Sequence, residues 1–191
     1  LYDFDDSIKD YFGKNNTLSG FDGLVYIPDE FILDVDGRDD DDLEEARVKA
    51  IGLSVALEDL GIPFRLYFSG NKGFHFGIPG TAFRWKPDVN LHLKVKDALK
   101  NGGIFDYADP SVTDKTRLIR VNNTKNLKAG LWKCIIPISI LHEDNVLEAL
   151  KKIAYKPGDI PTFELECEPV FDVLERNKAA EVKAPEFISQ G

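Results

Sequence analysis

The 191 residues contain no methionine, only two cysteines and only three histidines. A chain without Met has no natural start, so we expect a piece of something longer. Residues 1–177 read as one catalytic domain, and 178–191, where pattern fades, as a linker to a further region. Cys134 and Cys167 are too few and too far apart for a zinc motif, and read as buried, reduced thiols of a cytosolic protein. No His-x-His pair exists among His75, His92 and His142, which argues against a rolling-circle initiator. There is no apolar run of about 18 residues to span a membrane. The first residues, Leu1 to Asp6, lack the basic-then-apolar pattern of a secretion signal. The expectation is an intracellular protein, with a plasmid or viral source compatible.

What is present is enough for a core: 43% of residues are hydrophobic and 11% aromatic, which excludes a disordered tail. The net charge of −9 is unevenly spread. Residues 1–64 carry 5 basic and 17 acidic side chains, a net of −12. Residues 65–133 carry 13 and 5, net +8, and residues 134–191 carry 6 and 11, net −5. A basic centre between acidic flanks can form a local anion-binding surface.

Hydrophobic periodicity gives alternating strands and helices, hence an α/β or α+β fold. A helix is expected over 3–13, and strands over Asp22–Pro28 and Glu30–Asp36. A helix of about 20 residues follows, opened by Asp39 to Asp42, because acids suit a helix N-terminus. Its stripe is Leu43, Ala46, Ala50, Leu53, Leu57 and Leu60, and Gly61 stands at its end. Strands are expected at Phe64–Ser69, Phe74–Ile78, Arg117–Val121, Leu131–Ile138 and Phe163–Glu168. Helices are expected at Asp88–Lys100 and Asn145–Tyr155.

Three segments carry chemistry. In Phe31-Ile32-Leu33-Asp34-Val35-Asp36, alternation sends Phe31, Leu33 and Val35 to the core and both aspartates to the other face. The two carboxylates should lie roughly 7 Å apart along the strand, where a hard divalent cation would relieve their repulsion. The second segment is Ser69-Gly70-Asn71-Lys72-Gly73-Phe74-His75-Phe76-Gly77. Its turn offers amide N–H groups, the Ser69 hydroxyl and the Lys72 cation to a phosphate. His75, between Gly73 and Gly77 on one face, is expected to stand open to a bulky ligand. The third segment runs from Asp109 through Arg117 to Arg120, with a further carboxylate and two cations able to grip phosphate oxygens in pairs.

Asp-x-Asp, then Ser-Gly-x-x-Gly-x-His, then Asp followed by Arg-x-x-Arg, in that order over 31–137, resembles the archaeo-eukaryotic primase superfamily. The resemblance implies a primase-polymerase catalytic core, a sheet-based cleft with an RNA-recognition-motif-like half. It implies template-directed nucleotide transfer with Mg2+ or Mn2+ held by Asp34, Asp36 and Asp109. It assigns Ser69 and His75 to nucleotide binding, which the turn reading extends to Gly70 and Lys72, and it assigns Arg117 and Arg120 to nucleotide or template. Its implied partners are nucleoside triphosphates, a single-stranded DNA template and a helicase or other replication module outside this chain. Asp106 and Asp114 compete with Asp109 for the third acid. Asn122 to Asn126 depart from the family pattern, lacking its proline and histidine, and Ala129 replaces the threonine before Gly130. The rivals are a metal-dependent nuclease or glycosyltransferase using the same Asp-x-Asp pair, and a non-catalytic nucleic-acid-binding module.

Overall fold

The structure is a computed structural model and describes residues 2–38, 43–162 and 164–171. The chain opens with strand β1 (Asp3–Phe4), helix α1 (Ser7–Asn15) and strand β2 (Val25–Tyr26). Strand β3 (Glu30–Val35), helix α2 (Leu43–Asp59), strand β4 (Arg65–Phe68) and strand β5 (Phe74–Pro79) follow. Helix α3 (Leu91–Asn101), strand β6 (Cys134–Ile135) and helix α4 (Val146–Ala154) complete the described elements, with short 3-10 turns between them. β1 pairs with β2, and a four-stranded sheet has the order β3-β5-β4-β6, every pairing antiparallel. The architecture is mixed α+β. Within it, α2 links β3 to β4, two strands separated in the sheet by β5, which is a split βαβ unit.

Alternation decides which face of the sheet is dry. Phe31, Leu33 and Val35 of β3, Leu66 and Phe68 of β4, and Phe74, Phe76 and Ile78 of β5 are all buried and belong to the core. The helical stripe meets them: Ala46, Ala50, Leu53 and Leu57 of α2 are fully buried. The opposite face carries Asp34, His75, Tyr67 and Ile135 in one cross-strand row, set by the register Asp34↔His75, Tyr67↔His75 and Tyr67↔Ile135. α2 ends as its sequence predicts: Ile62 N–H donates to Leu57 C=O and Gly61 N–H to Glu58 C=O, closing a Schellman motif. Asp39 to Asp42 lie outside the described residues, as does the expected linker at 178–191. No helix among the described residues is long and apolar enough to cross a membrane.

Several expected elements are shorter or missing, for identifiable reasons. The first helix begins at Ser7 because Asp3 and Phe4 are taken by pairing with Tyr26 and Val25. β2 is only two residues long, and Val25 exchanges further backbone hydrogen bonds with Asp88 in an isolated bridge. The long strand expected at Leu131–Ile138 contracts to Cys134–Ile135. There the Trp132 N–H donates to Ala154 and the Lys133 N–H to Thr124, so neither joins the sheet ladder, and a 3-10 turn starts after Pro137. Arg117–Val121 forms no strand, and its apolar side chains find no core: Leu118 and Val121 are 87% and 72% exposed. Residues 164–168 form no strand either; Cys167 N–H donates to the Thr81 hydroxyl instead, and Phe163 lies outside the described residues.

Candidate active site

The polar face of the sheet forms the wall of a cleft of about 210 Å3. β3 supplies Asp34, with Asp36 just beyond its end; the β4–β5 turn supplies Ser69, Asn71 and Lys72, and β5 supplies His75; the later loop supplies Leu118, Ile119, Arg120 and Asn126. All three sequence segments thus reach one cavity, the third through Arg120. Its acid is tied to the site through the main chain, where Asp109 N–H donates to Asp34 C=O at 2.8 Å. A larger cavity of about 560 Å3 lies elsewhere and includes none of the three aspartates, so chemistry rather than volume places the site here.

The three acids differ in environment. Asp34 is 7% exposed. Burial would push its pKa up, but His75 and Arg117 outweigh that and hold the carboxyl below its ordinary value. His75 Nε2 stands 3.3 Å from Asp34 Oδ1, within ion-pair distance but without hydrogen-bond direction, so Oδ1 is buried with no hydrogen-bond partner. Asp36 lies just past the end of β3 and is shifted the other way. Burial and then the Asp34 charge raise its pKa, Asp109 adding to them and Lys72 and His75 opposing. The Asp109 carboxylate accepts from Ser111 N–H at 2.9 Å and from the Ser111 hydroxyl at 2.6 Å. Arg117 Nη2 stands 3.5 Å from both Asp34 Oδ2 and Asp109 Oδ2, a fixed cation between the two acids. Of the competing acids, Asp106 lines an adjoining cavity with Asp36 and Asp109, whereas Asp114 belongs to a separate one beside His92 and Lys115.

The glycines around His75 work differently from the expectation. A Cβ at Gly73 would fall 2.0 Å from Asp36 Oδ1, and one at Gly77 2.0 Å from Glu30 Oε1. The missing side chains therefore admit the carboxylates of Asp36 and Glu30, not open space for a ligand. His75 is correspondingly only 5% exposed. Its imidazole lines the cleft beside Asp34, and its Nδ1 is buried without a hydrogen-bond partner. In the turn, the Ser69 hydroxyl accepts from Gly73 N–H at 3.1 Å. Gly70 has a φ of +84°, and a Cβ there would press on the backbone of residues 131–133 at about 3.0 Å. Gly70 shapes the turn and is not part of the cleft lining, whereas Lys72 is.

Lys133 has no part in the sequence motifs, yet it is 2% exposed. Its Nζ donates to Arg120 C=O at 2.7 Å and lies 5.3 Å from the Tyr67 ring centroid. Burial lowers its pKa to about 8, with Glu30 and Asp34 opposing the shift and Arg120 adding to it. Glu30 in turn accepts from the Tyr67 hydroxyl at 2.9 Å and from Arg65 at 3.2 Å. The signal for Lys133 was a single cation inside the apolar run Leu131–Ile136. Asn126 acts locally: its Oδ1 accepts from Lys128 N–H and Ala129 N–H, which holds the loop at 126–129.

A divalent cation was expected on Asp34, Asp36 and Asp109. Among the described residues, no group of three or more His, Cys, Asp or Glu is gathered so as to hold a metal ion. Arg117 takes the place between Asp34 and Asp109 that such an ion would neutralise. The donors fit in kind: oxygen ligands, one buried carboxylate oxygen without a hydrogen-bond partner, and a second carboxyl destabilised by its neighbour's charge. The chain matches no protein-family model, and no curated protein matches it in sequence.

Proposed function

We propose that this chain is the catalytic core of a template-directed nucleotidyltransferase of the primase–polymerase kind. The observation that carries the reading is the convergence of the separated segments. The Asp34–Asp36 pair, the Ser69–His75 turn and Arg120 face one cleft, with Asp109 hydrogen-bonded to the Asp34 backbone. The split βαβ unit with its antiparallel sheet supports the finer expectation of an RNA-recognition-motif-like half.

Asp34, Asp36 and Asp109 would hold Mg2+ or Mn2+, which supplies neutralising charge and an acidified 3′-hydroxyl in chemistry of this type. The protein groups do the positioning. Lys72 and Arg120 face the cleft as cations for the triphosphate, and Asn71 adds a neutral donor. His75 keeps Asp34 ionised and oriented from the neighbouring strand. Arg117 is the counter-charge for Asp34 and Asp109 in the free protein. Lys133 fixes the main chain at Arg120, so the guanidinium is presented from an anchored loop.

The test is incorporation of labelled nucleotides on a single-stranded template, with Mg2+ or Mn2+, with and without a primer. Incorporation by the wild type that vanishes in Asp34→Ala and Asp36→Ala supports the reading. Degradation of the template without incorporation would instead identify a nuclease. Strand binding unaffected by either substitution, with no turnover, would identify a binding module.

A further inference from the structure

At the far end of β5 from the carboxylates, a 3-10 turn (Gly80–Ala82) leads into Phe83-Arg84-Trp85-Lys86-Pro87. Trp85 stands between two cavities, one of about 560 Å3 and one of about 500 Å3. The second is lined by Arg84, Lys86 and Lys94 as well as by Trp85, with Asp88 and Asn90 at its edge. Lys94 Nζ lies 4.5 Å from the Trp85 ring centroid, and Phe83 supports the indole at 5.5 Å. Arg84 and Lys86 are exposed. Arg84 also has a φ of +38°, one of only three non-glycine residues with positive φ among those described. A non-glycine side chain held there is strained, and such strain collects where a surface is built for a ligand.

We infer that this ridge binds single-stranded polynucleotide, a base taking the place of Lys94 Nζ over the half-buried Trp85 ring and phosphates meeting Arg84, Lys86 and the displaced Lys94. A flat aromatic interleaved with cations suits the two repeating parts of a strand, its bases and its phosphates. The acids around it set the orientation. The larger cavity is lined by Asp29, Glu30, Glu164 and Glu166 against Arg84 and Arg65, the latter paired with Glu30 at 3.2 Å, so its wall is net acidic and would repel phosphates. In the other cavity Asp88 is the one acid against three cations, and its carboxylate already accepts from Asn90 N–H at 2.7 Å. Phosphates therefore run on the Lys86–Lys94 side. Four residue steps carry β5 from His75 to its end at Pro79, roughly 13 Å, and the ridge begins beyond that end. Strand binding rests on the ridge alone. Calling the strand the template rests on the nucleotidyltransferase reading.

The experiment measures binding of labelled oligothymidylate to the full chain by fluorescence anisotropy, without nucleotide or divalent metal, across a salt series. Its arms are an abasic phosphodiester of equal length and polyglutamate as competitor. Trp85→Ala should bind oligothymidylate about tenfold more weakly while binding the abasic strand as the wild type does. Arg84→Gly removes a cation and also the φ strain, so its melting temperature should hold or rise. Its salt slope should fall by roughly 0.7, the share of one phosphate contact on a single strand. Lys86→Glu, on an exposed side chain, should weaken both strands. Unchanged oligothymidylate affinity in all three variants overturns the inference, and so does equal wild-type affinity for oligothymidylate and the abasic strand. Displacement by polyglutamate at phosphate-equivalent concentration would make the ridge a general anion site and overturn it too. If the variants weaken strand binding but the wild type incorporates no nucleotide, the ridge stands and the nucleotidyltransferase reading fails.

Discussion

Replacing Lys133 by methionine tests the electrostatics beneath the cleft through folding stability. The ordinary lysine pKa of 10.5 falls to about 8 here, with burial as the largest cause. Below pH 8 the lysine is protonated in both folded and unfolded chains, and the fold carries the full penalty of burying the charge. Between pH 8 and 10.5 the unfolded chain binds the extra proton, so stability rises with pH and the penalty is relieved. A difference of about 2.5 units corresponds to about 3 kcal/mol. The side chain is 2% exposed, so solvent screening does not reduce this figure as it would for a surface group. For a chain of this length that is roughly 6–12 °C in melting temperature. Burial raises the thiol pKa of Cys134 and of Cys167, and groups shifted this way work against stability as pH rises past the ordinary thiol value. The measurement is therefore a difference: urea midpoints of wild type and Lys133→Met at pH 7, 8, 9 and 10. The wild type should gain on the variant steadily above pH 8. Parallel curves would refute the reasoning and show that Lys133 does not hold a buried charge.

The paired aspartates should separate in stability although both abolish incorporation. Asp36→Ala should melt at or slightly above wild type, since burial and its neighbour's charge disfavour that carboxylate. Asp34→Ala should lose about 1–2 kcal/mol, because it leaves His75 without its acidic neighbour and Arg117 with Asp109 alone; equal melting of the two variants would contradict this. Gly73→Ala should drive Asp36 out of place and abolish incorporation, whereas Gly77→Ala should disturb Glu30 and chiefly lower the melting temperature, both measured in parallel. Arg117→Ala should tighten Mn2+ binding to the free protein, measured calorimetrically, because a competing cation leaves Asp34 and Asp109; weaker binding would exclude Arg117 as a stand-in for the ion.

Much of this was legible in the sequence because it depended on periodicity. The period of two in Phe31–Asp36 placed Asp34 opposite the core side chains, and the stripe of α2 appears as written, ending at Gly61. Local pattern also separated a basic middle from acidic flanks. Periodicity carries no information about which backbone groups find a partner. Leu131–Ile138 has strand-like composition, but Thr124 and Ala154 take its N–H groups, and that competition exists only in three dimensions. Nor could the sequence tell whether Gly73 and Gly77 made room for a ligand or for Asp36 and Glu30. That depended on the register Val35↔Phe74 and Ile32↔Gly77, which brings those two carboxylates over them. Lys133 was invisible as a functional group for the same reason. A lysine near the end of an apolar run is ordinarily solvated; here the tertiary structure closes over it, leaving Arg120 C=O as its acceptor. The sequence determined which residue types share a face. The desolvation and cross-strand contacts that set their charge were decided by the packing of distant segments, because electrostatic energies depend on burial and distance rather than on spacing along the chain.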